Sequence, residues 1–317
     1  MAVTDAGQTA RRTARARSER TRDTLAAGRV AVDAALQRVL ARRLPHLDAR
    51  LAGPVRYAIE AGGKRLRPVL CLGAYRAAGG QPTPRELFEA ASALELIHTY
   101  SLLHDDLPCM DDDDYRRGRP TAHRVYGETA TTLAGSAMIP LAAAVLDEGA
   151  AALGLTPPER SAVVLDLARG AGAAGMVGGQ VLDLAAEGQP VDAAGLESIH
   201  SRKTGALFGT SLRIGARLAR SDEPVVEAFG RCGRALGLAF QVADDILDVT
   251  GRSETLGKSA GRDAEQGKAT YPGLLGLEGA RRRAAAAAAD AVSALRDAGI
   301  HDDVLEGLIE FAVSRDR

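Results

Sequence analysis

From about Leu25 onward, apolar residues recur at spacings of three and four. Leu36, Val39, Leu40, Leu44 and Leu47 form one such series; Leu87, Ala90, Ala91, Leu94 and Ile97 form another. That rhythm gathers apolar side chains on one face of an α-helix. Strict apolar–polar alternation is scarce and β-branched runs are short, so little strand is expected. Breakers separate the periodic segments: Gly79-Gly80-Gln81-Pro82, Thr156-Pro157-Pro158, Gly188-Gln189-Pro190 and Asp222-Glu223-Pro224. Thr156 and Ser221 are placed to cap the helices that follow. The pattern predicts ten or more helices with short links, and no shift in composition marks a second domain. The expected fold is all-α, a single large helical bundle over residues 23–317. Residues 1–22 carry six arginines between Arg11 and Arg22 and almost nothing apolar. They read as a basic tail, disordered or frayed.

Composition narrows the function. Hydrophobic residues make up 46% of the 317, enough for a large interior, but aromatics are 3% and Trp is absent, so Leu, Ala and Val must build it. Lys and Arg number 40 against 41 Asp and Glu, a net charge of -1 that argues against a general nucleic-acid binder. Cys71, Cys109 and Cys232 lie far apart without a C-x-x-C pair, so neither a disulfide framework nor a zinc site is indicated, and a reducing cytoplasm fits. There is no secretory apolar segment near the start. The longest uncharged run, Thr129 to Leu146, contains Pro140 and reads as a buried helix pair rather than a membrane span, which wants about 20 mostly apolar residues.

Charge matters here by where it sits. In LGLAFQVADDILDVTG, Gln241, Asp244, Asp245 and Asp248 stand at i, i+3, i+4 and i+7, one face of a helix, among apolar Leu238, Val242, Ile246, Leu247 and Val249. Like charges at that spacing repel, and unpaired burial is costly. A solvated face would mix in Lys, Arg and Glu, whereas this one holds only Asp and Gln. Such oxygen ligands suit a hard divalent cation, Mg2+ above all. A second cluster, HDDLPCMDDDDYRRGRP, ends the helix from Leu87 to His104. Leu94, His98, Ser101 and Asp105 share a face there, so His98 points the way Asp105 does. Pro108 ends or bends the helix. Asp111, six residues after Asp105, needs that bend to return to the same side, and Asp112 to Asp114 read as a solvated acidic loop. Arg116 and Arg117 have the geometry to grip phosphate oxygens.

Weaker signals complete the inventory. GGKRLRP offers Lys64, Arg65 and Arg67 on a glycine-freed loop before Pro68. Lys203, Lys258 and Lys268 are single lysines beside Gly or Thr, and Gln180 and Asp183 in GGQVLDL read as structural polar groups. Gly170, Gly172 and Gly175 match the glycine pattern of dinucleotide sites, but the repeating strand–helix alternation such a site requires is missing. A closely packed Gly/Ala-rich helix explains the stretch.

Taken in order, GGKRLRP, ELIHTYSLLHDDLPCMDDDDYRRGRPTAH, GGQVLDL, RKTGALF, FQVADDILDVTG, LGKSAGRD and GKATYPGLLG resemble the trans-isoprenyl diphosphate synthase family, and most closely its bacterial farnesyl diphosphate synthases. The resemblance spans about residues 25 to 317. It implies the class I isoprenoid synthase fold, helices around a deep central cavity, usually as a homodimer. It implies a prenyltransferase: head-to-tail condensation of isopentenyl diphosphate with an allylic diphosphate, the diphosphate itself taking the final proton. It casts Asp105, Asp106 and Asp111 as the first aspartate motif and Asp244, Asp245 and Asp248 as the second, together holding three Mg2+, with Mn2+ as the substitute. Arg116, Lys203, Thr204, Gln241 and Lys258 match positions on the allylic diphosphate, joined by Lys268; Lys64, Arg67, His98 and Arg117 match those on isopentenyl diphosphate. Asp105, Asp106, Asp111, Asp244 and Lys203 would carry the catalysis.

Chain length is expected to follow bulk before the first aspartate motif. Tyr100 as the floor of the product pocket, and the two extra residues in DDLPCMD, imply a C15 product. Five residues place Tyr100 about 140° from the face of Asp105, Ser101 is small, and C20 or C10 products stay open. A class I terpene cyclase and a noncatalytic subunit are the rivals. GGKRLRP and the second aspartate motif argue against the first, and two intact aspartate sets against the second.

Overall fold

In the computed structural model, which describes residues 2–250 and 268–313 (side chains from residue 17 onward), thirteen α-helices form the frame of the described chain. They are α1 (Ala2–Arg43), α2 (Ala49–Glu60), α3 (Leu66–Ala77), α4 (Arg85–Asp105), α5 (Ala122–Tyr126), α6 (Glu128–Ala152), α7 (Pro157–Ala171), α8 (Met176–Ala186), α9 (Ala193–His200), α10 (Ala206–Leu218), α11 (Glu223–Thr250), α12 (Tyr271–Arg296) and α13 (Asp303–Val313). The strand content among the described residues is one two-residue pairing, Tyr115–Arg116 against Arg119–Pro120.

Helix α4 shows why the bundle forms. It has no single polar stripe: Leu87, Ala90, Ala91, Ala93, Leu94, Leu96 and Ile97 are all buried, because α1, α3 and α6 pack around it. Each large apolar side chain removed from water there contributes about 1.5–3 kcal/mol. Helix α11 lies between α10 and α12 and buries Val226, Phe229, Leu236 and Val242. Each of these two long helices carries one aspartate cluster at its C-terminal end.

Three expectations change. The uncharged run at 129–146 is one helix, α6, rather than a pair: Pro140 lies exposed within it and its missing N–H is tolerated. This is the one described helix long and apolar enough to cross a membrane, though one side packs on α4 and α7. Asp222, not Ser221, caps α11, its Oδ1 accepting from Val225 N–H at 3.3 Å, whereas Thr156 does cap α7, sharing a capping box with Glu159. Finally, α1 runs across residue 22. Arg17 and Thr21, inside the expected tail, reach the last helix: Arg17 pairs with Glu306 at 3.1 Å, and Thr21 is buried. The glycines of the dinucleotide-like pattern fall at the junction of α7 and α8, with a helix before them and not a strand.

Ion pairs tie α1 to α4. Glu89 accepts from Arg38 at 2.8 Å and Arg42 at 2.7 Å. Burial alone would raise its carboxyl, but hydrogen bonds from Arg42 and Arg38 outweigh that and hold it down to about 2. A depressed carboxyl stabilises the fold above its unfolded value near 4.5, and that stability is lost as pH falls toward 2. Glu89→Gln is therefore expected to lower the denaturation midpoint at pH 7 and to flatten the loss of stability between pH 4.5 and 2, read by denaturant titrations across pH.

Candidate active site

Both aspartate clusters sit where helix physics disfavours them. Asp105 ends α4, and Asp244, Asp245 and Asp248 lie in the last two turns of α11. The C-terminal end of a helix is its negative end, where each added acid is unfavourable by about 0.3–1 kcal/mol. Cations must offset this, and the structure shows several.

Past α4 the chain folds back. Pro108 cannot continue the helix, and the free carbonyls are taken up by the loop: Asp111 N–H donates to Asp105 O at 2.8 Å, and Asp113 N–H to Asp106 O at 3.2 Å. Asp112 adopts a left-handed φ of 48° to make the turn. The loop thus returns Asp111 to Asp105, and the two carboxylates feel one another. Burial, opposed by Lys203 and reinforced by Asp111, pushes the Asp105 carboxyl up to about 6. Asp111 is lowered instead: burial resists, but Lys268, at 3.1 Å, and Lys203 prevail. Asp106 is buried and accepts from Arg116 Nε at 2.5 Å. The expected solvated loop is only partly so. Asp112 and Asp114 are exposed, but Asp113 is buried and accepts from Arg116 at 2.9 Å, so Arg116 is clamped between two acids.

The link between the clusters is a π-helical turn, Ser201–Gly205, between α9 and α10. Such turns widen the backbone and re-aim side chains, often at functional sites. Here Lys203 reaches Asp183 of α8 at 2.5 Å, while Thr204 donates to Gln241 Oε1 of α11 at 3.1 Å. Gly179 of α8 makes this possible, since a Cβ there would collide with the backbone of Lys203. Asp183, read from the sequence as a structural polar group, thus anchors Lys203.

Asp245 is held differently from Asp244 and Asp248. It is 2% exposed; its Oδ1 accepts from Gln241 at 3.2 Å and its Oδ2 from the backbone N–H of Tyr271 at 3.0 Å, with His200 at 3.7 Å. Its carboxylate is directed into the protein, whereas Asp244 and Asp248 are half-buried. Lys258 lies outside the described residues.

Two turns before Asp105 on α4, His98 lies among cations. Burial, then Arg67, Arg117, Arg116 and Arg65, push its pKa well below the usual value, so it is neutral at pH 7. Lys64 is exposed, Arg67 packs over the Phe208 ring at 4.9 Å, and Arg117 donates to the carbonyl of Gly62. Arg65 does not join them as a surface charge; it is buried. Tyr100 lies in the main apolar cluster, 4% exposed, edge-on to His104 with ring centroids 5.6 Å apart. Ser101 Oγ donates to His98 O at 2.9 Å. Among the described residues, no three His, Cys, Asp or Glu side chains converge to hold a cation unaided.

Comparison with known proteins is consistent across sequence and structure. The polyprenyl synthetase family model matches residues 48–305. Farnesyl diphosphate synthase of Geobacillus stearothermophilus is 40% identical over 89% of this chain and 95% of its own length. A chloroplastic geranylgeranyl pyrophosphate synthase of Capsicum annuum is 45% identical over 81% of this chain and 68% of its own. Among solved structures, geranyltransferase of Helicobacter pylori complexed with magnesium and isoprenyl diphosphate superposes with a TM-score of 0.75 at 31% identity, covering 90% of this chain and 96% of that one.

Proposed function

This chain belongs to the polyprenyl synthetase family, and on that premise we propose that it joins isopentenyl diphosphate head to tail to an allylic diphosphate, with farnesyl diphosphate as its product. The observation that carries the reading is the π-helical turn at Ser201–Gly205, whose Lys203 acts on Asp105 and Asp111 while its Thr204 bonds Gln241 of the second acidic helix.

The residues fit a divalent cation bound together with diphosphate. Asp105 and Asp111 crowd two carboxylates, and Asp244 and Asp248 offer two more, yet no described cluster completes a cage. Mg2+ is commonly held in that way, by one or two carboxylates with water and phosphate oxygens filling its shell. Asp105 and Asp111 would hold it on one side, and Asp244 and Asp248 on the other, with three ions in all; Asp245 acts through Gln241 and Tyr271. The metal supplies Lewis-acid neutralisation of the leaving diphosphate.

The protein's own groups do the rest. Lys203, Thr204, Gln241, Lys268 and Arg116 would bind the allylic diphosphate, and the cations lower the barrier to C–O cleavage by stabilising the developing charge. Lys64, Arg67 and Arg117 would bind isopentenyl diphosphate, and a neutral His98 adds a hydrogen bond without another charge. The apolar walls around Tyr100 keep water from the allylic carbocation. The isopentenyl double bond attacks that cation, and the proton lost from the adjacent carbon passes to the released diphosphate. Release of inorganic diphosphate only when both substrates are present is expected; release from an allylic diphosphate alone would indicate a cyclase.

Assembly as a homodimer is part of the proposal, as is a cytoplasmic location. Leu133 and Ile139 on α6, Leu165 on α7, and Val177 and Val181 on α8 are exposed on successive helices. Large exposed apolar side chains on neighbouring elements mark association surfaces. Leu133→Asp with Val181→Asp is expected to convert the protein to a species of half the mass by light scattering; an unchanged mass would place the interface elsewhere.

A further inference from the structure

Arg65 occupies the middle of the basic motif, yet its side chain is 2% exposed. Its guanidinium is used on every side: Nε donates to Asp33 of α1 at 2.8 Å, one terminal nitrogen to Glu95 of α4 at 2.7 Å, and the other to the carbonyl of Ile59 in α2 at 2.8 Å. Glu95 is likewise 2% exposed. One side chain therefore ties three helices to the loop that starts α3. It does so from a left-handed backbone, φ 52°, which disfavours any residue with a Cβ by roughly 1–2 kcal/mol.

That is a costly way to join helices. Burying an ion pair often stabilises no more than apolar residues of the same volume. What the arrangement adds is placement. Lys64 precedes Arg65 in the loop, and Arg67 follows it in the first turn of α3. Arg117 donates to Gly62 O in that loop, and its guanidinium packs 2.9 Å from where a Cβ at Gly63 would sit. His98 stands one turn beyond Glu95 on α4. All four groups assigned above to isopentenyl diphosphate are thus anchored to elements that meet at the Arg65 guanidinium.

We propose that Arg65, held by Glu95 and Asp33, is a positioning residue for isopentenyl diphosphate: it fixes the 62–65 loop and the start of α3 so that Lys64, Arg67 and Arg117 face His98. This rests on the reading of those four residues as the isopentenyl diphosphate site.

The test is steady-state kinetics on the full-length protein with each substrate varied in turn. Arg65→Met alone leaves Glu95 buried and unpaired and threatens folding, so the informative variant is Arg65→Met with Glu95→Met, which removes both charges. Its KM for isopentenyl diphosphate is expected to rise about tenfold, since small misplacements of binding groups are costly, with the allylic KM and kcat within about threefold. Arg65→Lys, which keeps the charge and loses the fork, should show the same selectivity. Glu95→Gln, which keeps the acceptor, should stay near wild type. An unchanged isopentenyl KM in the folded double variant, or a parallel rise in both KM values, overturns the proposal. Lys64→Ala and Arg67→Ala serve as the control. If they raise the isopentenyl KM while the Arg65 variants do not, the positioning role alone is wrong. If they too leave it unchanged, the site assignment fails and the proposal with it.

Discussion

Replacing Asp105 or Asp244 with Ala is expected to cut turnover by about 10^3-fold, the scale on which losing one preorganised charge-stabilising group slows an enzyme, while helix content and denaturation midpoint hold. Both carboxylates stand at negative helix ends, and Asp105 is pushed up to about 6 chiefly by burial. At Asp105, whose raised carboxyl is chiefly a cost of burial, the substitution relieves that cost rather than removing a prop. Single-turnover assays with saturating metal, alongside circular dichroism, separate the two effects. Near-normal turnover in either variant would remove that residue from the metal assignment, and collapse of the fold would make it structural. Asp106 is the contrast. Its loss strips a partner from half-buried Arg116 and is expected to harm stability as well as rate.

The second large effect concerns the product. Tyr100→Ala is expected to move the main product from C15 toward C20 and longer, with turnover of the first condensation retained. Tyr100 is buried against His104 at the end of α4, one and a half turns before Asp105, and truncating it opens space in an apolar cluster. A buried aromatic-to-Ala change also costs about 3–5 kcal/mol of stability, so chain length must be read on protein shown to be folded. A C15 product from the folded variant would make Tyr100 a core residue and move the pocket floor elsewhere.

Much of the site was legible in the sequence for a plain reason. The second motif is a run of helical spacings, and helical spacing alone brings Gln241, Asp244 and Asp248 together. The first motif needed a proline and a turn, and the backbone bond from Asp111 to Asp105 supplies what spacing could not. What stayed hidden depends on partners distant in sequence. GGKRLRP shows three cations, but only the left-handed φ at Arg65 and the carboxylates of Asp33 and Glu95 decide which turns inward. Asp113 looks like any other acid in its run until Arg116 folds back on it. Asp183 finds Lys203 only because Gly179 lets two backbones meet. Asp245 follows the spacing of a ligand, yet the N–H of Tyr271, twenty-six residues on, draws it inward. For α6, the proline that suggested a break was accommodated because that side of the helix is exposed.

The most direct measurement is the prenyl chain formed when purified protein is given isopentenyl diphosphate and Mg2+ with, separately, C5, C10 and C15 allylic diphosphates. A C15 product from the C5 and C10 primers, abolished by chelating the metal, is the predicted result. A C20 product would retain the chemistry and contradict the assignment of Tyr100 as the pocket floor, and no condensation product from any primer would contradict the account of the site.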